Sequence, residues 1–539
     1  MGTARPKCGS DAASCGDVRR DEDGNAVQRL DGTDVRAWAH AATAALGAAR
    51  GRIDAVNVFP VADSDTGTNA LLTVAGGADA VAALEGPAGA DAVARVFASG
   101  ALLSARGNSG VILSQYLEGL AGALPSSAGP VDLADALAAA GQAALGAVAD
   151  PQEGTVLTLA RVVADSALRA AGAGADLAGV LAAVSTQAHA ALVRISAQHP
   201  VLAAAHVVDA GACALIVLLD ALRDVVARDG APADAGSDLS WLPEPIDLVA
   251  THLAPEGGGA FEVMLLVRTP GGPGDRADLG PTLIAGMQAL GDSVAVVGAD
   301  GVWQVHVHTD HPGRAVEAAA VGAREQVVVR LLGARLADGV PLELGVVACT
   351  GSPDLGAAHA LAGAVTLVRC DGAALEARHL VRAITDTGTR HVVVLPGDAS
   401  GAHAAREAAR SLAPSGTTVD VLDAHDDLRV TVAVIALAGA ADPARQVAGA
   451  TAALGRLRTT VVEQADLAAA LAAVDSLLAG VAVGAGAAAR QTLTVLTGPA
   501  VDHDLRGALE AELAQRWPDL AVLGTGPVPG LPAFWLGLD

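Results

Sequence analysis

Residues 53–69 read Ile-Asp-Ala-Val-Asn-Val-Phe-Pro-Val-Ala-Asp-Ser-Asp-Thr-Gly-Thr-Asn, an apolar run that stops at carboxylates, hydroxyls, a glycine and an amide. Asp63 and Asp65 offer hard oxygen ligands of the kind that bind Mg²⁺ together with substrate phosphates. Thr66, Thr68 and Asn69 add donors beside that charge, and Gly67 permits a positive φ and a close backbone approach to a phosphate. Read blandly, the stretch is a polar turn between a strand and a helix. A second segment shifts the balance: Ser104-Ala105-Arg106-Gly107-Asn108-Ser109-Gly110 precedes the apolar Val111-Ile112-Leu113. Small polar residues and two glycines opening a helical pattern make an anion site out of backbone N–H groups.

Arg106 carries weight because the chain has one lysine, Lys7, near its start. That removes the P-loop, protein-kinase and Schiff-base chemistries, each of which needs a lysine in the site. Any phosphate bound here must be neutralised by arginine, Mg²⁺ and backbone amides.

The two segments resemble the signatures NVFPVPDGDTGTN and GARGNSGVILSQ of the bacterial fatty acid kinase catalytic subunit, whose kinase domain is similar to the L-type domain of dihydroxyacetone kinases. Glu153-Gly154-Thr155-Val156-Leu157-Thr158 and Val207-Val208-Asp209-Ala210-Gly211 resemble two further family segments, EGTILT and VVDAG. The resemblance implies an all-α, DhaL-like barrel binding ATP and one or two Mg²⁺ ions. Asp63, Asp65 and Asn57 would hold the metal, and Arg106 would offset phosphate charge. Thr66, Gly67, Thr68, Asn69, Gly107, Asn108, Ser109, Gly110, Thr155, Asp209 and Gly211 would surround the nucleotide. Asp209 also reads as a plain helix N-cap, and both roles can hold. Ser64 and Ser104 stand where the family has glycine, and Ala212 and Ala214 replace later glycines.

With 539 residues, 52% of them hydrophobic, the chain can fill several cores. Its formal charge of −25 repels nucleic acid and anionic membrane surfaces. Cys8, Cys15, Cys213, Cys349 and Cys370 are dispersed without a CxxC pair, which fits a reduced cytoplasmic setting. The first residues lack the apolar stretch of a signal peptide, and no integral membrane protein is expected.

Helical periodicity over 132–148, 177–196 and 212–226 places a helical kinase domain at 31–228, after a disordered tail over 1–30. A small α/β middle domain is expected over 246–340, with strands at 261–268, 294–298 and 303–308 around a helix at 281–290. An α/β C-terminal domain follows over 341–539, with a largely parallel sheet whose strands fall at 345–349, 391–395, 431–437 and 492–496.

His306 and His308 lie two apart, on one face of a strand. Their segment resembles the family's VHVHTDDPG, where a cysteine appears to join them; Phe261 occupies the place assigned to that cysteine, which leaves zinc a doubtful occupant. Glu262 points to a neighbouring place. The C-terminal domain matches the family least: Arg369-Cys370-Asp371-Gly372-Ala373 and Leu395-Pro396-Gly397-Asp398 replace its motifs.

The family resemblance implies phosphorylation of a fatty acid carboxylate, presented by a separate fatty-acid-binding protein, to give acyl phosphate. A homodimer is among the assemblies expected. A dihydroxyacetone or polyol kinase and a non-catalytic ATP-binding regulator are the alternatives.

Overall fold

A computed structural model describes residues 29–59, 64–228, 239–242, 259–271, 277–299, 301–332, 336–337, 340–370, 372–438, 442–479 and 491–539. The tail expected over 1–30 therefore lies outside the described residues except for Arg29 and Leu30. Those two are packed: Arg29 donates to Ser127 and Leu30 bridges Ala128.

Asp31 starts the helical domain by accepting the Thr33 and Asp34 amides, which opens α1 (Gly32–Ala55) with two otherwise orphaned donors satisfied. Helices α2 (Thr66–Ala82), α3 (Ala90–Ser104), α4 (Gly107–Ala123), α5 (Pro130–Gly146), α6 (Val156–Gly172), α7 (Leu177–Ser196), α8 (Pro200–Ala205) and α9 (Ala210–Ala227) follow. From α1 to α7 each helix packs on the next, α7 packs on α9, and α9 returns to α1. Small residues set the spacing: a Cβ on Gly77 would lie 2.5 Å from the Phe97 ring, and one on Gly100 would lie 2.7 Å from Ala80 Cβ. At the centre Trp38 meets Phe97 edge-on and donates its indole N–H to the Leu218 carbonyl at 2.9 Å. Among the described residues α7 alone is long and apolar enough to cross a membrane, but Val180, Leu181, Val184, Leu192 and Ile195 are buried in this core.

Beyond the helices, β1 (Phe261–Arg268), β2 (Gly291–Ala299), β3 (Val302–Thr309) and β4 (Ala323–Leu331) pair antiparallel in the order β4-β1-β3-β2, with α10 (Gly280–Gln288) and α11 (Pro312–Ala318) between them. After the two-residue strands β5 (Leu336–Ala337) and β6 (Val340–Pro341), an alternating run begins. It comprises β7 (Leu344–Thr350), α12 (Pro353–Leu361), β8 (Val365–Val368), α13 (Ala377–Asp386), β9 (His391–Leu395), α14 (Ala399–Leu412) and β10 (Thr418–Val421). Strands β7 to β10 are parallel to one another, as the alternation predicts, yet β8 pairs antiparallel with β4. A single eight-stranded sheet, β10-β9-β7-β8-β4-β1-β3-β2, thus runs unbroken across position 340.

The run at 431–437, expected as a strand, is the C-terminal part of helix α15 (Asp427–Leu437). Its β-branched residues favour a strand locally. The Asp426 side chain, however, accepts the Arg429 amide as an N-cap, and burial of Val430, Ala433 and Val434 against the sheet decides for a helix. Helix α16 (Pro443–Arg456) then leads into a second sheet, β11-β14-β12-β13, built from β11 (Arg458–Val462), β12 (Thr492–Thr497), β13 (Ala521–Thr525) and β14 (Phe534–Leu538), with α17 (Leu467–Ala479) and α18 (His503–Arg516). Only the β12–β13 pair in it is parallel.

The helical domain and the large sheet meet over an apolar patch of Leu102, Ala105, Val111, Ala147, Ala295 and Val297, with a backbone bridge between Val148 and Ala295. This docking brings β1, β3 and β4 against the starts of α2 and α4.

Candidate functional site

The first turns of α2 and α4 converge, with the Thr66 and Ser109 hydroxyl oxygens 3.3 Å apart. Neither helix has a side-chain cap bond at its N-terminus, so the positive ends of two helix dipoles face one place. Asn108 and Ser109 are half-buried in that first turn of α4. The chain turns into these helices through left-handed residues, Ser64 at φ 53° and Gly107 at φ 54°. Glycine adopts that conformation freely, whereas serine does so against a steric penalty.

Gly67 does not take the expected positive φ. It is helical, and a Cβ there would lie 2.5 Å from the Arg50 carbonyl oxygen and 2.9 Å from Ile53 Cβ. The glycine is needed so that α2 can begin against α1. A Cβ on Gly107 would likewise meet Asn69 Nδ2 at 2.6 Å, and one on Gly110 would meet Thr73 Oγ1 at 2.4 Å. Thr73 ties the two segments by donating to the Asn69 carbonyl (2.7 Å) and accepting the Arg106 amide (3.2 Å).

Asp65 occupies the N-cap position of α2 and is buried, but its side chain bonds elsewhere. Its Oδ1 accepts from Asn69 Nδ2 at 2.8 Å, and its Oδ2 accepts from Arg330 Nη2 at 2.7 Å. Asp54, a carboxylate absent from the sequence-based set, takes the Thr68 amide (3.0 Å) and hydroxyl (2.8 Å). Burial raises the Asp54 carboxyl above its ordinary value, the Thr68 bonds pull it down, and the charge of Asp65 pushes it up again. Asn57 is buried, and its backbone N–H donates to the Asp54 backbone carbonyl at 3.2 Å. Asp63 lies outside the described residues.

Arg330, also missed in the sequence, sits on β4 opposite Glu262 on β1 and bonds it through Nε. Glu262 in turn faces His308 across the β1–β3 pair, and its Oε1 lies 3.4 Å from His306 Nδ1 without hydrogen-bond alignment. Burial alone would raise the Glu262 carboxyl, but the Arg330 guanidinium, helped by the histidines, holds it well below the usual carboxylate range. Burial pushes His306 down to about 3 and lowers His308, so both rings are neutral at pH 7, the form that ligates metals. Candidate ligand atoms of Glu262, His306 and His308 lie within 4.8 Å of one another, and both His306 nitrogens and His308 Nδ1 have no hydrogen-bond partner among the described residues. Ligands of a tetrahedral zinc ion stand roughly 3.4 Å apart. The trio would have to close, and Glu262 would have to share its charge between the ion and Arg330.

Arg106 is held elsewhere. Its Nε donates to Asp386 Oδ1 at 2.5 Å and its Nη1 to the Ser104 carbonyl at 2.7 Å. Arg382, one turn earlier on α13, donates to the Leu103 and Ala105 carbonyls. The C-terminal half of α13 therefore grips the loop between α3 and α4.

Thr155, Asp209 and Gly211 form a separate cluster at the starts of α6 and α9. Thr155 Oγ1 donates to the Gln152 carbonyl at 2.8 Å and accepts the Leu157 amide at 3.3 Å, capping α6. Asp209 accepts the Ala212 amide at 2.7 Å, which is the N-cap reading, and burial raises its carboxyl to about 6. A Cβ on Gly211 would stand 3.3 Å from Val156 Cβ, so the two helix starts touch there.

Residues 60–224 match the DAK2 domain, and this assigns the helical domain its class. Residues 259–330, the strands carrying Glu262, His306, His308 and Arg330, match the FakA-like middle domain of fatty acid kinase, so the chain joins a DAK2 domain to a FakA-like middle domain. It is 30% identical over 303 residues to protein YloV of Bacillus subtilis, covering 53% of this chain and 52% of that protein. It is 31% identical over 266 residues to an uncharacterized protein of Staphylococcus saprophyticus, covering 48% of each. The chain thus spans about half the length of the curated relatives it matches. Among solved structures, the dihydroxyacetone kinase from C. freundii in complex with AMP-PNP and Mg²⁺ is 20% identical over a match that covers 42% of this chain and 38% of that one, with a TM-score of 0.27.

Proposed function

We propose that the protein is an ATP- and Mg²⁺-dependent cytoplasmic kinase that phosphorylates a fatty acid carboxylate presented by a separate acyl-binding protein. The observation that carries this reading is the convergence of the α2 and α4 N-termini beside Asp65, a buried carboxylate that already holds a cationic group, the Arg330 guanidinium. The closed circuit of helices is read as an all-α barrel with the nucleotide at this end.

Asp65 fits Mg²⁺ as a hard oxygen donor where a positive charge is already held, and Asp63 and Asn57 are the further ligands that the family resemblance implies. When bound, the ion would neutralise phosphate charge. The Thr66 and Ser109 hydroxyls and the α2 and α4 helix starts orient the phosphates. An acceptor carboxylate oxygen attacks the γ-phosphorus, its bond to phosphorus forms as the bond to the ADP oxygen breaks, and the electron pair leaves with ADP. A carboxylate is already ionised at pH 7, so no base has to remove a proton, and catalysis is mainly positioning and electrostatics. Arg106 joins the phosphates only after release from Asp386.

The engagement of both Asp65 oxygens, by Asn69 and Arg330, favours a second reading, a regulator that binds ATP without transferring it. Calorimetric titration of ATP with and without Mg²⁺, followed by transfer assays with an acyl-binding protein or dihydroxyacetone as acceptor, separates these. Mg²⁺-dependent binding lost in Asp65→Ala, with that variant still folded, supports the kinase site. No binding by the folded wild type sinks both readings.

A further inference from the structure

A phosphoryl-transfer site needs a cation besides the metal, and in this chain arginine has to supply it. Its one lysine is Lys7, and Arg106 is bound to Asp386 and the Ser104 carbonyl. Arg330 is buried, reaches from β4 in the middle domain to the kinase loop, and touches the carboxylate expected to hold Mg²⁺. We propose that Arg330 is the phosphate-binding cation of the nucleotide site, supplied by the middle domain, and that Mg²⁺ takes its place on Asp65 when nucleotide binds. The inference rests on the kinase reading above.

Asp65 Oδ1 accepts from Asn69 and Oδ2 from the guanidinium at 2.7 Å, so Arg330 and a metal compete for the charge of one carboxylate. Displacement does not free Arg330 into solvent. Its Nε stays bonded to Glu262, which faces it across the β1–β4 pair, so the guanidinium turns toward the phosphates on an anchored base. A planar fork of donors held at its base is suited to bidentate phosphate binding, which a lysine would not give. The incoming triphosphate brings the negative charge that replaces Asp65 as the partner of the guanidinium, so the buried charge is never left without a counter-ion.

The test uses the full-length wild type, Arg330→Gln and Arg330→Lys. Mn²⁺ binding is followed by electron paramagnetic resonance as a probe of the hard-cation site, and ATP binding at saturating Mg²⁺ is followed by calorimetry. The proposal requires opposite signs in Arg330→Gln: Mn²⁺ alone binds about tenfold tighter because its competitor has gone, and ATP binds about tenfold weaker, the scale of one charge-assisted bond. Arg330→Lys keeps the buried charge but loses the fork, so Mn²⁺ binds as in wild type and ATP binds more weakly. Both ligands unchanged, or both weakened together as loss of a mere strut between domains would do, overturns the proposal. If circular dichroism shows Arg330→Gln unfolded, Arg330→Lys decides alone, and wild-type ATP affinity in it overturns the proposal. A folded wild type that binds no Mg²⁺-ATP refutes the kinase reading itself, a different outcome from a normal wild type with indifferent variants.

Discussion

Replacing Asp386 with asparagine tests whether α13 clasps the loop between α3 and α4. The Arg106 and Asp386 side chains are 7% and 2% exposed and 2.5 Å apart, so their pairing occurs in a water-poor setting. Removing one partner of such a pair typically costs about 3–5 kcal/mol, because the other charge stays buried and uncompensated. Here the loss belongs near the upper end of that range. Burial, and after it the charge of Arg106, lowers the neighbouring Arg382 to about 9, while Asp386 pulls it the other way. Without that carboxylate two guanidinium groups face each other across a dry interface. Urea unfolding followed by far-ultraviolet circular dichroism measures the loss, and a double-mutant cycle with Arg106→Met isolates the pair, with a coupling of about 2–3 kcal/mol expected. A loss in Asp386→Asn below about 1 kcal/mol, or additive effects in the cycle, would show that the two domains do not hold each other through this contact.

Asp209→Asn keeps an acceptor for the Ala212 amide but removes a carboxyl raised to about 6 from an ordinary 3.8. The folded wild type binds the extra proton, so this group's stabilisation is complete below about pH 4 and lost as pH rises through 6. Melting temperatures measured from pH 4 to 8 should show that slope flattened in the variant, with a gain of up to roughly 3 kcal/mol at pH 7; parallel curves refute it. Gly67→Ala should destabilise by about 1–3 kcal/mol, since the new methyl meets the Arg50 carbonyl oxygen at 2.5 Å. Helix propensity alone predicts a gain, so the sign of the change in urea midpoint decides.

Local signals carried much of the fold. Helix α7 matches its expected bounds of 177–196, because Asp176 caps a long apolar stripe, and β9 matches 391–395, because a Val-Val-Val-Leu run lies buried between helices. The run at 431–437 misled for the same reason in reverse: its β-branched residues say strand until the Asp426 cap and the packing around them are known. At the site, the sequence marked Asp65, Thr66 and Ser109 through clusters of small polar residues. It could not mark their partners. Arg330 lies 265 positions from Asp65 and Asp386 lies 280 from Arg106, and such pairings leave no periodic trace. The one available signal was an arginine ending the apolar run Val327–Val328–Val329, a charge on an otherwise buried strand.

The unbroken sheet limits how this protein can be assembled and taken apart. Strand β4 takes β8 as its outer neighbour, and the core beneath β1 to β4 includes Ala360, Val368 and Cys370 from beyond position 340. A chain cut at 340 would leave β4 as a bare edge over an open core, and such edges pair with other chains. On the ribosome the core beneath the middle strands stays open until residues 344–370 have emerged, so the strands of this sheet mature as one piece and truncations should be placed outside it.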